Sequence, residues 1–500
     1  MRLYKAEFMV SDEKGDCVME SFQGYLFWGF LIVYGMIMMA ISPRVITLGG
    51  FFRGEDKHGR ASSPFLLTAS IFISWIFAKS VTNAANLGAQ YGIVGGLAYA
   101  SYWLCIPLAG FAIYRLRTKF AAKGLVSFLT SNYGPAAALA FSAAILIRLF
   151  NEVWSNSSVV GAYYGDGGST AFIWGAVLFT LITLAYSMRG GLRSSIVTDT
   201  IQAVLFVVVL VFVIAWIVPK HPIGEYVSSG VWGLSTGVDM LLVTLLQIFS
   251  YPFHDPVLTD RGFISEEKIM VKAFIASGVL GFFAILIFSF IGIHYTLLGL
   301  PSSGNVPAAL GKVMSTAMFF FMAVIMISAA GSTLDSTFSS LAKLCAQELP
   351  ALAGKDFGNK ARIIGMFVML VFALIGNLPM IVGTDILKAT TISGTMVMGL
   401  APIFLLHGLV KPTRLGFHLS FWTGIVLGIA FTVGAVPSSI GIGGGTNGVL
   451  LAVNLYGLIL CTLGYIIPGL IVSAREAKES GPSGSAHEAI AAAGEIEERA

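Results

Sequence analysis

The sequence predicts an all-α integral membrane protein of about thirteen transmembrane helices. Three observations predict it. The chain has 500 residues, 56% of them hydrophobic and only 11% charged, with a mean hydropathy of +0.83; soluble domains carry about 25% charged residues. Apolar stretches of the roughly 20 residues needed to cross a bilayer as a helix recur along the whole length. Basic residues collect in every second loop, as loops kept on the cytoplasmic side do.

Taken in order, residues 1–23 form an extracellular tail. It mixes Arg2, Lys5 and Lys14 with Glu7, Asp12, Glu13, Asp16 and Glu20. A cleavable signal peptide would place a basic region before a short apolar core, so the apolar run that follows reads as a retained first helix. The first spans are Gly24–Ser42, Pro64–Gly88, Gly95–Arg115 and Tyr133–Val160. Thr170–Met188, Ile196–Val218, Gly237–His254 and Ala273–Leu298 come next. Val313–Leu344, Ala361–Val382, Leu387–His407, Phe417–Val436 and Val449–Val472 complete the transmembrane region, residues 24–472. Residues 473–500, rich in Ser, Gly, Glu and Ala, read as a flexible cytoplasmic tail.

Loop charge checks the count. Arg44, Arg53, Lys57 and Arg60 follow the first span, Arg115, Arg117, Lys119 and Lys123 the third, and Arg189 and Arg193 the fifth. Arg261, Lys268 and Lys272 follow the seventh, Lys343, Lys355, Lys360 and Arg362 the ninth, and Lys411 and Arg414 the eleventh. The alternate loops hold little beyond Lys220, Lys312 and Lys388. One missed helix would scramble this alternation. It places the N-terminus outside and the C-terminus in the cytoplasm, in a plasma or inner cell membrane.

Two spans are interrupted by polar residues. The second carries Lys79, Thr82, Asn83 and Asn86; the seventh carries Gln247, Ser250, Tyr251, Pro252, His254 and Asp255. Broken helices at corresponding places in two halves mark the solute and ion site of a transporter. These two lie five helices apart, as a five-plus-five inverted repeat requires, with core helices over roughly residues 64–218 and 237–407. Hydroxyls and carboxylates also sit inside apolar spans: Ser332, Thr333, Asp335 and Ser336, with Thr198, Asp199 and Gln202 upstream. Such groups cost several kcal/mol at membrane depth unless neutralised. Oxygen-only ligands of this kind suit a hard cation such as sodium.

Three stretches carry a resemblance. One runs from Gly190-Gly191 to Thr198-Asp199 and Gln202; another is Ala329-Ala-Gly-Ser332-Thr333-Leu-Asp335-Ser336. A third runs from Ser74-Trp75 through Ala78, Lys79 and Val81 to Tyr91, Gly92, Gly95, Tyr99 and Ala100. Together they resemble the sodium:solute symporter family, and the third looks most like its urea-active transporter branch. Lys79 departs from that branch, which usually has a small residue there. The resemblance implies a LeuT-type fold. It implies a sodium ion held by carbonyls of Ala78, Val81 and Ala329 and hydroxyls of Ser332 and Thr333. It also implies, in some members, a second cation or coupling site, here Asp199, Asp335 and Ser336.

The solute is expected beside the two breaks. Lys79, Thr82, Asn83, Asn86, Glu152, Gln247 and Tyr251 are the candidate ligands, with Asn151 and Asn156 facing the same space. Trp75 and His254 are candidate gates. Three readings of Lys79 stay open: a structural pair with Glu152 or Asp199, a contact to a solute carboxylate, or an ammonium that replaces sodium and hands coupling to protons. Arg148 is expected to pair with Glu152 four residues on, and Asp260 with Arg261.

No nucleotide-binding loop, catalytic triad or zinc spacing is present, and Cys17, Cys105, Cys345 and Cys461 are scattered. The expected partners are sodium, a small solute and the lipid bilayer, with no nucleic acid and no ATP, the chain acting as monomer or homodimer. The reading is secondary active, sodium-coupled symport of a small polar organic solute, such as a urea-like amide, an amino acid or a small carboxylate. The alternatives are proton-coupled transport through Lys79 and a solute sensor built on a transporter fold; enzyme activity is not expected.

Overall fold

A computed structural model describes residues 13–381 and 393–479. The expectations for residues 1–12, for the start of the eleventh span and for the tail beyond Glu479 lie outside the described residues. Among the described residues nine helices are long and apolar enough to cross a membrane, or ten if one bent pair counts as a single span. No β-strand is formed among them beyond one isolated bridge, His407 to Val410.

The bent pair is the second expected span. Ser63 caps its start, accepting from the Leu66 N–H, and Pro64 occupies the first turn, where it loses no helical bond. The helix Pro64–Ser74 stops at Trp75, and Ala78–Tyr91 restarts at an angle of 57°. The interruption covers Trp75, Ile76 and Phe77, none of them Pro or Gly, so its cause is tertiary.

The fifth and sixth expected spans join without a loop. Thr170–Ile217 runs as one element whose only non-helical residue is Gly191, at φ 55° and ψ −137°. A positive φ suits glycine, and a Cβ there would lie 2.3 Å from the Phe51 carbonyl oxygen. The kink thus seats the short helix Leu48–Arg53. The seventh span is a chain of short pieces: Asp239–Gln247, a turn Tyr251–His254 and Pro256–Thr259. Asp255 caps the last piece, its Oδ1 accepting from the Val257 N–H at 3.1 Å.

Thr316–Lys343 is the central helix. Ser315 caps it, and every residue from Met322 to Ala342 is buried. It packs along Thr170–Ile217, Pro135–Gly161 and Pro64–Ser74. Its middle, Ala329-Ala330-Gly331-Ser332, is all small, which lets neighbouring backbones approach in lipid. The Tyr186 hydroxyl donates to the Gly331 carbonyl at 3.2 Å across that face.

The loops read as basic meet one another on one side. Arg117 donates to the Gly262 carbonyl at 2.7 Å and pairs with Glu267 at 2.8 Å. Arg189 donates to the Met39 carbonyl at 2.8 Å, and Arg362 to that of Val45 at 3.4 Å. Contacts at the other ends join the alternate loops: Asn86 to Gly304, and Asn447 to Asp239. Odd and even loops therefore fall on opposite faces, which agrees with the alternation of charge.

Candidate functional site

Two fully buried charge clusters lie beside the helix break. The first joins four ionic side chains from three elements. Lys79, in the first turn after the break, sets its Nζ 2.5 Å from Glu152 Oε1 on Pro135–Gly161. Arg148, one turn earlier on that helix, pairs with the same Glu152 oxygen and with Asp255 Oδ2 at 2.9 Å. The acids have their remaining oxygens engaged. Glu152 Oε2 accepts from Asn156 Nδ2 at 2.9 Å, Asp255 Oδ2 also accepts from Trp75 Nε1 at 3.2 Å, and its Oδ1 caps Val257. Phe77 and Tyr251 cover the guanidinium, with ring centroids 5.1 Å and 5.4 Å from Cζ.

Asn156 fixes the restart of the helix: its Oδ1 accepts the Ala78 N–H at 3.0 Å. A cavity of about 320 Å³ adjoins this cluster, lined in part by Arg148, Asn151, Trp154, His254 and Ser393.

The second cluster is built on Asp199. Its Oδ1 accepts from the Ser332 hydroxyl. Its Oδ2 accepts from Ser70 Oγ at 2.5 Å and from Arg261 Nη2 at 3.0 Å. Arg261 also donates to Ser70 Oγ at 2.8 Å, Ser336 Oγ at 2.7 Å and the Val257 carbonyl. Asp335 accepts from Thr198 Oγ1 at 2.8 Å and from Ser336 Oγ at 3.3 Å. Thr333 Oγ1 reaches the broken helix, donating to the Ser74 carbonyl at 3.2 Å. The structure thus brings Ser332, Thr333, Asp199, Asp335 and Ser336 into one network at the break.

Several expectations change. Arg261 does not pair with Asp260; it turns inward to Asp199, while Asp260 pairs with Lys343 at 2.5 Å. A guanidinium can shed its water only where several oxygens replace it, and Ser70, Ser336 and the Val257 carbonyl do so. The break falls before Ala78, so Ala78 and Val81 lie inside the second half-helix. Their carbonyls point along that helix and are engaged four residues on; that of Ala78 also accepts from Thr82 Oγ1 at 3.2 Å. The carbonyl that meets the central helix belongs to Ser74. Ala329 lies one turn before Thr333 on the same helix.

Among the solute candidates, Thr82 thus back-bonds to its own helix. Asn83 Nδ2 donates to the Tyr99 hydroxyl at 3.1 Å. Gln247 accepts from the Tyr102 hydroxyl at 2.5 Å and donates to Asn454 at 3.1 Å. Asn86 is the outlier: it ties the loop at Gly304 and Val306, at the far end of its helix. Trp75 stacks edge-on against Tyr251, and His254 lies between the Tyr251 carbonyl and Ser393. Ser70, Ser74, Asp255 and Arg261 were the residues least legible beforehand. The sequence placed Asp255 in the interrupted seventh span, Ser74 in the second and Arg261 in a basic loop, and it set Ser70 four residues before Ser74 on one helix face, but it did not pair them.

No family model matches the chain. It is 22% identical over 315 residues, 57% of this chain and 41% of that protein, to the urea active transporter of Saccharomyces cerevisiae. It is 26% identical over 188 residues, 36% of this chain and 27% of the other, to the sodium/glucose cotransporter 1 of Mus musculus. The chain is thus similar in part of its sequence to a urea transporter and to sodium-coupled sugar transporters. It spans less than half the length of these curated relatives, which are transport proteins, not enzymes. A structure of a sodium-coupled sialic acid symporter superposes with a TM-score of 0.68 at 15% identity, covering 90% of this chain and 98% of that one. A closed nucleobase-cation-symport-1 family transporter gives 0.55, also at 15% identity, covering 85% and 96%. The fold is therefore the LeuT-type fold.

Proposed function

We propose that this chain is a secondary active transporter that couples sodium influx to uptake of a small polar organic solute by alternating access. One observation carries the reading: Thr333 meets the Ser74 carbonyl at a helix break, one residue from the Ser332–Asp199 contact. A broken backbone beside hydroxyls and a carboxylate at membrane depth supports cation coupling. The ion at this place links the broken helix to the central one, so its arrival and departure bias the two open states. The membrane potential supplies about 2.3 kcal/mol per charge per 100 mV.

The solute lies beside the same breaks, with Lys79, Thr82, Asn83, Glu152, Gln247 and Tyr251 around it and Trp75 and His254 at its gates. The yeast relative's name makes urea the first compound to test, followed by other small amides, amino acids and small carboxylates. Lys79 favours a positioning role over a proton-coupling one. Its ammonium is engaged by Glu152. The chain sits in a cell membrane with its N-terminus outside and its basic loops in the cytoplasm.

The test is uptake into proteoliposomes loaded without sodium. External sodium should drive accumulation of the carried compound, and Ser332→Ala or Thr333→Ala should reduce it more than tenfold, about 1.4 kcal/mol or more in transition-state stabilisation. Undiminished uptake by the unaltered chain in choline medium would defeat the reading and point to protons.

A further inference from the structure

We infer that this chain binds a single monovalent cation, because Arg261 permanently fills one of two stacked cation places and Ser74 completes the other. The inference rests on the transport reading above and adds the ion count and a new ligand.

The first half-helix and the central helix face each other turn by turn. Ser70 and Ser74 are four residues apart on Pro64–Ser74; Ser332 and Ser336 are four apart on Thr316–Lys343. Residues at that spacing share a helix face, one turn above another. The lower tier holds Ser70, Ser195 and Ser336 around the Arg261 guanidinium, at 2.8 Å, 3.3 Å and 2.7 Å. Asp199 Oδ2 faces this tier.

The upper tier holds Ser332, Thr333 and the end of the broken helix, and Asp199 Oδ1 faces it. Here no basic side chain enters. Instead Ser74 Oγ lies buried, 1% exposed, and has no hydrogen-bond partner. It points from the same face as Ser70, one turn closer to the break. An unsatisfied hydroxyl in a dry interior costs about 1–3 kcal/mol, and an oxygen-seeking cation among Ser74, Thr333, Ser332 and Asp199 would satisfy it.

Charge agrees with the count. The fully buried ionic side chains beside the break are Lys79, Arg148 and Arg261 against Glu152, Asp255, Asp199 and Asp335. By formal charge one negative is left over, and it lies in the cluster with the hydroxyls. Asp239 and Asp260 are also buried, but each sits at a helix end with its own partners, Asn447 and Lys343. One sodium closes the sum; a second would overshoot it.

The test is equilibrium binding of radioactive sodium to the purified full chain in detergent, with choline holding ionic strength constant. The unaltered chain should bind one sodium. Ser74→Ala, a change of one oxygen, should weaken binding about tenfold, the effect of losing one charge-assisted contact. Arg261→Ala, if monodisperse, should bind two. Two sodium ions on the unaltered chain, or unchanged affinity in Ser74→Ala, would overturn the inference. Should Arg261→Ala fail to fold, the Ser74→Ala isotherm and the wild-type count decide alone. A single sodium without sodium-driven uptake would sink the transport reading and spare this one; sodium-driven uptake with two bound ions would do the reverse.

Discussion

The two buried clusters differ by one charge, and that difference separates what holds the core from what can move through it. Lys79, Arg148, Glu152 and Asp255 close on themselves: two cations, two anions, every carboxylate oxygen occupied. Asp199, Asp335 and Arg261 do not close: two anions and one cation, surrounded by hydroxyls. A balanced set in a dry interior is a fixture, because removing either partner strands a charge. An unbalanced set leaves one negative charge for a further cation to answer, as the proposal above requires. The first cluster clamps the broken helix to its neighbours, through Lys79 and Trp75. The second touches that helix from the other side, through Ser70 and Thr333. The break is therefore held rigidly on one side and conditionally on the other.

The sharpest way to break this comparison is to unbalance the first cluster. Glu152→Gln leaves Lys79 and Arg148 facing only Asp255, and stability should fall by about 3–5 kcal/mol, the usual result of stranding a buried charge. The double change Lys79→Met with Glu152→Gln restores balance around Arg148 and Asp255, and most of that loss should be recovered. Thermal melts of the detergent-purified variants check both; a double variant as unstable as the single one would contradict the closed-cluster picture.

Asp335→Asn asks the opposite of the second cluster. It should abolish the stabilisation that sodium confers, while the sodium-free protein melts no lower than the unaltered chain. A melt that drops equally with and without sodium would instead make Asp335 a plain structural acid.

A smaller effect is expected where a similar trio meets water. Lys343 joins Asp260 at 2.5 Å and Glu348 at 3.1 Å, but the three side chains are 12–22% exposed. Partial access to solvent softens the loss, so Lys343→Met should cost less than Glu152→Gln, about 1–3 kcal/mol in a chemical denaturation series. Smallest is Asn86→Ala. Sodium affinity should not change, and the readout is faster amide exchange around Gly304 and Val306, the loop that Asn86 ties down.

Much of this was legible beforehand because lipid imposes strict rules. Span lengths, alternating basic loops and hydroxyls inside apolar segments follow from the bilayer alone. Those signals located the interrupted second span and the central helix with Ser332 and Thr333, whereas the loop expected between the fifth and sixth spans is a kink at Gly191 within one element. Arg148 and Glu152 were legible too, since four residues along a helix brings side chains together whatever surrounds them.

The partner of Arg261 was not legible in the same way, and for Lys79 the pair with Glu152 was one of three open readings. Asp260 stands next to Arg261 in the chain, yet adjacent residues on a helical turn point apart, and the guanidinium finds Asp199, 62 residues away. The position of the break was also hidden. Trp75, Ile76 and Phe77 contain no residue that interrupts a helix by itself.

The sequence alone determined that this chain is built for a bilayer, and which polar residues that solvent would not tolerate unpaired. Only the tertiary structure decided where the second span breaks and which charge answers which. Asn156, Asp255 and Thr333, from three other elements, satisfy the backbone and side chains there. Helix propensity is a local property, whereas the cost of an unpaired group in a dry interior is set by whatever the fold brings beside it.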